Sequence, residues 1–294
     1  MKIEFTKMHG AGNDYVYVDC TKEELPNPGA ISEYVSHRRF GIGSDGLIMI
    51  CRSDVADFKM RMFNADASEG KMCGNGVRCV AKFVYDKGLT DKTTITLETL
   101  AGIKTIDMIV ENGKVVEAKV DMGKPIFKCT DIPMISDHFM FVDQGLVLSD
   151  NHGEEKVVYN GTAISMGNPH FVTFVEDVDS LDLEKLGPQF EHHKLFPEGV
   201  NTEFVQVIDK NTVKFRVWER GSGETWACGT GASAVGVACV LLGNAGKKGE
   251  EITVIAKGGT LKVTYGKDDH VILQGPAATA FEGVIEVPDE VINK

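Results

Sequence analysis

The sequence predicts an α+β protein of two related halves, each built mainly of antiparallel sheet with few helices. Three observations carry this. Apolar and polar residues alternate with period two over most of the chain, as half-buried strands require. The breaks between these runs are turn signals too short for a crossover, so neighbouring strands are expected to run antiparallel. The segment 63–76 also recurs at 218–231, an offset of 155 residues (228 − 73), in a chain of 294. That length matches about two domains of ~100–200 residues.

The elements follow in order. Strands are expected over 2–6 and over 15–19, where Val16 and Val18 share a face. A helix over 31–39 follows Pro28-Gly29. A strand over 58–63 leaves Lys59 and Arg61 outside. The helix over 77–87 sets Val77, Val80, Ala81 and Val84 on one stripe and stops at Gly88. Strands over 93–98 and 115–121 flank Asn112-Gly113, and strands over 204–208 and 213–217 flank Asp209-Lys210-Asn211. The helix over 232–242 is apolar nearly all round and ends at Gly243, so it should be wholly buried. A strand over 261–265 lies between Gly258-Gly259 and Lys267-Asp268-Asp269.

Composition excludes several classes. Lys+Arg is 31 and Asp+Glu 43, a net charge of −12, which gives no basic face for nucleic acid. The most apolar stretch, 235–242, is far short of the ~20 residues of a membrane span. The N-terminus has no apolar leader, so a cytoplasmic protein is expected. Seven cysteines at 20, 51, 73, 79, 129, 228 and 239 are odd in number and irregular in spacing, as reduced thiols would be.

The repeat points to chemistry. At the 155-residue offset Phe63 meets Trp218, Glu69 meets Glu224, and Cys73-Gly74-x-Gly76 meets Cys228-Gly229-x-Gly231; Gly12-Asn13 meets Gly167-Asn168. Two distant landmarks with one offset indicate a duplication. Each Cys-Gly-x-Gly stands just before a helix, where outward amides and the macrodipole should lower a thiol pKa. The amides of Gly74, Asn75, Gly229 and Thr230 then form cradles suited to a carboxylate. Two such thiols suit racemisation or epimerisation, one removing a proton and the other returning one.

Other chemistries fit parts of the pattern. Cysteine is often a small buried hydrophobe, the reading taken for Cys20, Cys51, Cys79, Cys129 and Cys239. Cys73-x5-Cys79 does not have the usual zinc spacing. Gly229-x-Gly231-x-x-Ala234 formally matches a dinucleotide fingerprint but is followed by hairpin sequence. Thiol redox chemistry at Cys73 and Cys228 stays open.

With these motifs the chain resembles the diaminopimelate epimerases. The resemblance runs from Met8-His9-Gly10-x-Gly12-Asn13-Asp14 to Gly275-Pro276-Ala277, through Phe63-Asn64-Ala65-Asp66, Gly167-Asn168-Pro169-His170, Phe196-Pro197-x-Gly199-x-Asn201 and Trp218-Glu219-Arg220-Gly221. It implies two pseudo-symmetric halves, each an antiparallel β-barrel around a central α-helix, at 1–121 and 122–276 with 277–294 returning to the first, and an active site between them. It implies Cys73 and Cys228 as acid and base without cofactor or metal. Asn13, Asn64, Asn168, Asn201, Glu219 and Arg220 would be substrate ligands, and His170 and Glu219 would tune the thiols. A homodimer acting on diaminopimelate is expected. Relatives of this fold racemise proline, hydroxyproline or histidine, but Glu219-Arg220 and the four asparagines favour a substrate with a second zwitterionic end. Trp226 and Gln274 depart from the family pattern, away from the catalytic positions.

Overall fold

The computed structural model describes residues 1–149 and 156–293, which form two compact units: Met1–Asp121 with Gln274–Lys294, and Met122–Leu273. The fold is β-rich α+β, each unit a curled sheet around one helix.

In unit 1 the strands are β1 (Lys2–Gly10), β2 (Asn13–Cys20), β3 (Gly46–Cys51), β4 (Phe58–Asn64), β5 (Glu69–Gly70), β6 (Thr94–Thr99), β7 (Gly102–Glu111) and β8 (Lys114–Asp121). The helices are α1 (Pro28–Ser36) and α2 (Gly74–Asp86). Unit 2 has β9 (Gln144–Ser149), β10 (Lys156–Ser165), β11 (Pro169–Phe174), β12 (Asn201–Asp209), β13 (Thr212–Glu219), β14 (Gly223–Thr225), β15 (Glu251–Ala256) and β16 (Gly259–Tyr265), with α3 (Leu183–Glu191) and α4 (Gly229–Leu242). β17 (Val271–Pro276) follows. The chain ends with β18 (Ala278–Glu286) and the short α5 (Asp289–Ile292), both in unit 1.

The duplication is visible element by element. α1 and α3 start and end 155 residues apart, and α2 and α4 start 155 apart. In unit 1 the strands pair in the order β18–β1–β2–β3–β4–β6–β7–β8. In unit 2 the order β9–β10–β11–β12–β13–β15–β16 repeats it. Helix α2 packs on β1 and β2 and also on β7 and β8. A helix touched by both ends of a strand order is one the sheet has curled around.

The expected all-antiparallel pairing is corrected in one respect. β2–β3, β4–β6, β11–β12 and β13–β15 are parallel. Each of these pairs is joined through a helix, which supplies the crossover that a parallel pair needs. Hairpins account for most of the rest, while β1–β18 joins the two ends of the chain. Ala11 and Gly12, at φ 53° and 85°, turn β1 into β2, and Asn112-Gly113 turns β7 into β8.

The helices differ from the sequence expectation at their starts. α1 begins at Pro28, a residue pre-set for a first turn, and ends at Ser36. α2 and α4 begin immediately after Cys73 and Cys228, making both cysteines N-caps. α4 is buried from Gly231 to Cys239, but its last turn is not, with Leu241 44% exposed, so the helix falls short of the complete burial its apolar sequence suggests. In unit 2 the core outside the barrel is aromatic: Phe171 lies against Phe141, Phe190 and Phe196, and Phe190 against Phe204. No helix among the described residues is long and apolar enough to cross a membrane.

Candidate active site

The two cysteine caps are geometrically alike. Cys73 has φ −129° and ψ 117°, Cys228 has φ −115° and ψ 118°, and each sulfur accepts the amide N–H of the glycine three residues on at 3.4 Å. The thiols therefore sit where the first-turn amides converge. Cys73 is half-buried and Cys228 buried.

Around Cys73, the β1–β2 turn delivers Asn13. The Cys73 thiol donates to Asn13 Oδ1 at 3.2 Å, while Asn13 Nδ2 donates to Asp45 Oδ2 at 2.8 Å. Asp45 also accepts the Asp14 amide at 3.1 Å, and Arg38 Nη2 binds both Asp14 Oδ1 (2.9 Å) and Asp45 Oδ1 (2.8 Å). Burial and the neighbouring Asp14 raise the Asp45 carboxyl above its ordinary pKa. Burial opposes ionisation of Asp14 too, but Arg38 and Lys7 outweigh it and hold Asp14 low. Asn64 ends β4, its backbone carbonyl held by the Ser32 hydroxyl of α1 at 2.9 Å and its Nδ2 donating to Ser68 Oγ at 3.0 Å. Asn75, in the first turn of α2, accepts from the fully buried Arg78 at 2.8 Å, and Arg78 also donates to Gly74 O at 3.2 Å. Gly74 and Asn75 are thus held from within the helix.

Around Cys228, Gly167 takes φ 100° and delivers Asn168, as Gly12 delivers Asn13. His170 lies wholly buried, Nε2 3.0 Å from Asn168 Oδ1 and Nδ1 2.7 Å from Glu203 Oε1. Glu219, at the end of β13, accepts from the Thr225 hydroxyl and from the Cys228 thiol. Burial raises the Glu219 carboxyl above its ordinary value. The Thr230 hydroxyl is 3.4 Å from Cys228 Sγ, one residue beyond Gly229.

The expectation that the helix start lowers the thiol pKa fails at Cys228. Burial first, then the carboxylates of Glu219 and Glu203, push this thiol well above its ordinary value; the Thr230 hydroxyl and Gly231 amide pull the other way and lose. Desolvation of a buried thiolate beside two carboxylates outweighs one helix start.

Asn201 works on the backbone: its Nδ2 donates to Pro169 O at 2.8 Å and its Oδ1 accepts the Arg220 amide at 3.0 Å. One N–H and one lone pair remain for a ligand. The exposed Arg220 guanidinium rests on Glu198 O at 2.9 Å. Unit 1 thus gathers Asn13, Cys73, Gly74 and Asn75, with Asn64 at the end of β4. Unit 2 gathers Asn168, His170, Asn201, Glu219, Arg220, Cys228, Gly229 and Thr230.

Sequence reasoning missed three acidic residues. Asp45 orients Asn13. Glu191, at the end of α3, accepts Trp218 Nε1–H at 2.7 Å and the Gly221 amide at 2.8 Å, bracing the turn that carries Glu219 and Arg220. Glu203 lies under α4. The duplication could have exposed Glu203, because the residue 155 earlier is Ile48.

The chain matches the family model for diaminopimelate epimerase over residues 5–128 and 162–280. It is 57% identical to a diaminopimelate epimerase of Methanococcus maripaludis over 97% of this chain and 100% of the relative. It is 51% identical to that of Acetivibrio thermocellus, over 97% and 99%. A Bacillus anthracis phenazine biosynthesis protein of the PhzF family shares the fold at TM-score 0.67 and 19% identity, over 98% of this chain and 100% of that one. With identity of that degree along nearly the whole length, on two cysteine-capped halves, the chain belongs to the diaminopimelate epimerase family.

Proposed function

We propose that this chain interconverts LL- and meso-2,6-diaminopimelate by a two-base proton transfer between Cys73 and Cys228. One observation carries the reading: each duplicated half places a cysteine as N-cap of its central helix, with first-turn amides aimed at the same point. One thiolate takes the α-hydrogen as a proton, and the other thiol gives a proton to the opposite face of the carbanion. Substrate and enzyme together keep their proton count. The proton has moved from one sulfur to the other, so the reverse reaction resets the pair.

Burial keeps Cys228 protonated, which casts it as the donor in the resting enzyme. The amides of Gly74, Asn75, Gly229 and Thr230 stabilise charge developing on the α-carboxylate. Glu219 suits an ammonium and Arg220 a carboxylate. Asn13, Asn64, Asn168 and Asn201 complete the hydrogen bonds, and His170 with Glu219 sets the field at Cys228. No step draws on a cofactor or metal ion. A reducing compartment suits the two thiols. Pairing as a homodimer is part of the same reading. Light scattering that gives the mass of one 32.0 kDa chain would exclude that dimer.

In deuterium oxide the α-hydrogen of LL-diaminopimelate should wash out during turnover. Cys73→Ala and Cys228→Ala should each lower the rate at least ~10²-fold, the usual worth of a positioned acid or base. Undiminished turnover with both thiols removed would overturn the mechanism. Turnover of proline or histidine in preference to diaminopimelate would overturn the substrate.

A further inference from the structure

We propose that Arg78 and Ser233 are positioning residues that act through the backbone: each donates to the carbonyl of the peptide group whose N–H serves the reacting α-carboxylate, and so strengthens that N–H as a donor. The two residues stand at equivalent places, 155 apart (233 − 78), in the helices that follow Cys73 and Cys228. Arg78 Nη1 donates to Gly74 O at 3.2 Å, and Ser233 Oγ donates to Gly229 O at 2.9 Å. Both side chains are fully buried. The Gly74 carbonyl shares its peptide group with the Asn75 N–H, and the Gly229 carbonyl shares its own with the Thr230 N–H. A donor at the oxygen draws electron density from the nitrogen, so the N–H at the other end of the group is polarised.

A helix serine often returns its hydroxyl to the carbonyl one turn back, with no further consequence. Here the other half of the repeat makes the same bond with a different residue. Arg78 and Ser233 differ in length and charge, yet both reach the carbonyl of the first helical residue. Beyond the first turn, α4 consists of Ala, Val, Gly, Cys and Leu except for Ser233. The single hydroxyl buried in that apolar stretch is spent on the carbonyl behind Thr230.

Arg78 goes further. A guanidinium has donors only, so its role in each bond is unambiguous. Nη2 donates to Asn75 Oδ1 at 2.8 Å and Nε to Pro276 O at 3.3 Å, so all three of its acceptors are neutral oxygens rather than carboxylates. Its charge lies behind the start of α2, with the same sign as the helix dipole there. The end of β1 closes over it: a Cβ at Gly10 would stand 3.0 Å from Arg78 Nη2 and 3.1 Å from Asn75 O. The catalytic consequence rests on the function proposed above; the coupling through the peptide groups does not. Negative charge on the α-carboxylate grows as the α-proton leaves, so a stronger N–H acts on kcat more than on KM.

The test is Ser233→Ala in the full chain, which removes one oxygen from a helix in which alanine is favourable. In nitrogen-15 NMR of the ligand-free protein the Thr230 amide proton should move upfield, and Ser233→Thr, which keeps the hydroxyl, should restore it. With LL-diaminopimelate, Ser233→Ala should lower kcat about two- to tenfold and leave KM within about twofold, the worth of one hydrogen bond felt in the transition state. Ser233→Thr should recover the rate. Arg78→Lys, which keeps the charge and loses the fork, should lower kcat in the same way. An unmoved Thr230 amide in Ser233→Ala overturns the route through the peptide group. An unchanged kcat, or a loss confined to KM, overturns the positioning role. A Thr230 amide that moves in a chain whose unchanged form has no epimerase activity would instead sink the proposed function and leave the coupling standing.

Discussion

Gly76 and Gly231 occupy equivalent places in the two helix starts, yet they answer to different neighbours. A Cβ at Gly76 would meet Ile48 Cδ1 at 2.8 Å and Met60 Cε at 3.2 Å, the flexible ends of apolar side chains. A Cβ at Gly231 would meet Glu203 Oε1 at 2.5 Å, a carboxylate already held by His170. Gly76→Ala should therefore leave stability within about 1 kcal/mol, since the helix gain offsets the crowding. Gly231→Ala should cost about 1–3 kcal/mol in urea unfolding, because overpacking there displaces the buried, hydrogen-bonded Glu203 side chain. Equal losses at the two glycines would show that Glu203 yields as easily as Ile48. In the same way Phe171→Ala, which empties the middle of the aromatic cluster, should cost about 3–5 kcal/mol.

The strand pairs leading into the two helices carry matching clasps. Arg61 binds Glu69 between β4 and β5, and Arg216 binds Glu224 between β13 and β14, with the 155-residue offset at both partners. The second clasp is the more sheltered, and the hydrogen bond from Arg216 holds the Glu224 carboxyl below its ordinary pKa. A carboxyl depressed on folding adds stability above its unfolded pKa and loses it as pH falls through the folded value. Glu224→Gln should thus destabilise by about 1 kcal/mol at neutral pH, solvent screening part of the pair. The deficit should shrink from neutral pH into acid below the depressed value, where both chains are uncharged at this position. Urea midpoints at the two pH values check this; a deficit that persists in acid would mean that packing, not charge, was lost.

At the scale of the molecule, unit 1 is not a continuous segment. β18 comes from the end of the chain and pairs with β1 from Lys2 to His9. A chain cut after Pro276 keeps all of unit 2 but strips the edge from β1. Hydrogen exchange should then rise through β1 and β2, while β11–β13 and α4 keep their protection. Protection of β1 equal to that in the full chain would show that β18 is dispensable. Repetition explains why so much of the fold was legible. The Cys-Gly-x-Gly recurrence located both central helices, and the Asn112-Gly113 and Gly258-Gly259 turns located hairpins. α3 went unseen because Gly187 and Pro188 interrupt its pattern, and only tertiary packing holds it as a helix. The parallel pairs were not legible although three of their four crossover helices, α1, α2 and α4, were expected, because which strands a helix brings side by side is settled by tertiary packing.

The sequence by itself determined the duplication, the family and a cysteine just before each central helix. These are properties of spacing and residue type, which a strand period, a glycine and an N-cap express locally. Only the tertiary structure decided how each group is charged and turned. Cys228 is raised rather than lowered because β12 and β13 bring Glu203 and Glu219 against a buried sulfur. Asn13 and Asn168, each following a glycine at the same place in the repeat, are held in opposite senses because Asp45 reaches one and His170 the other. Charge state and amide direction depend on through-space neighbours and on burial, and neither is encoded in the spacing of one motif.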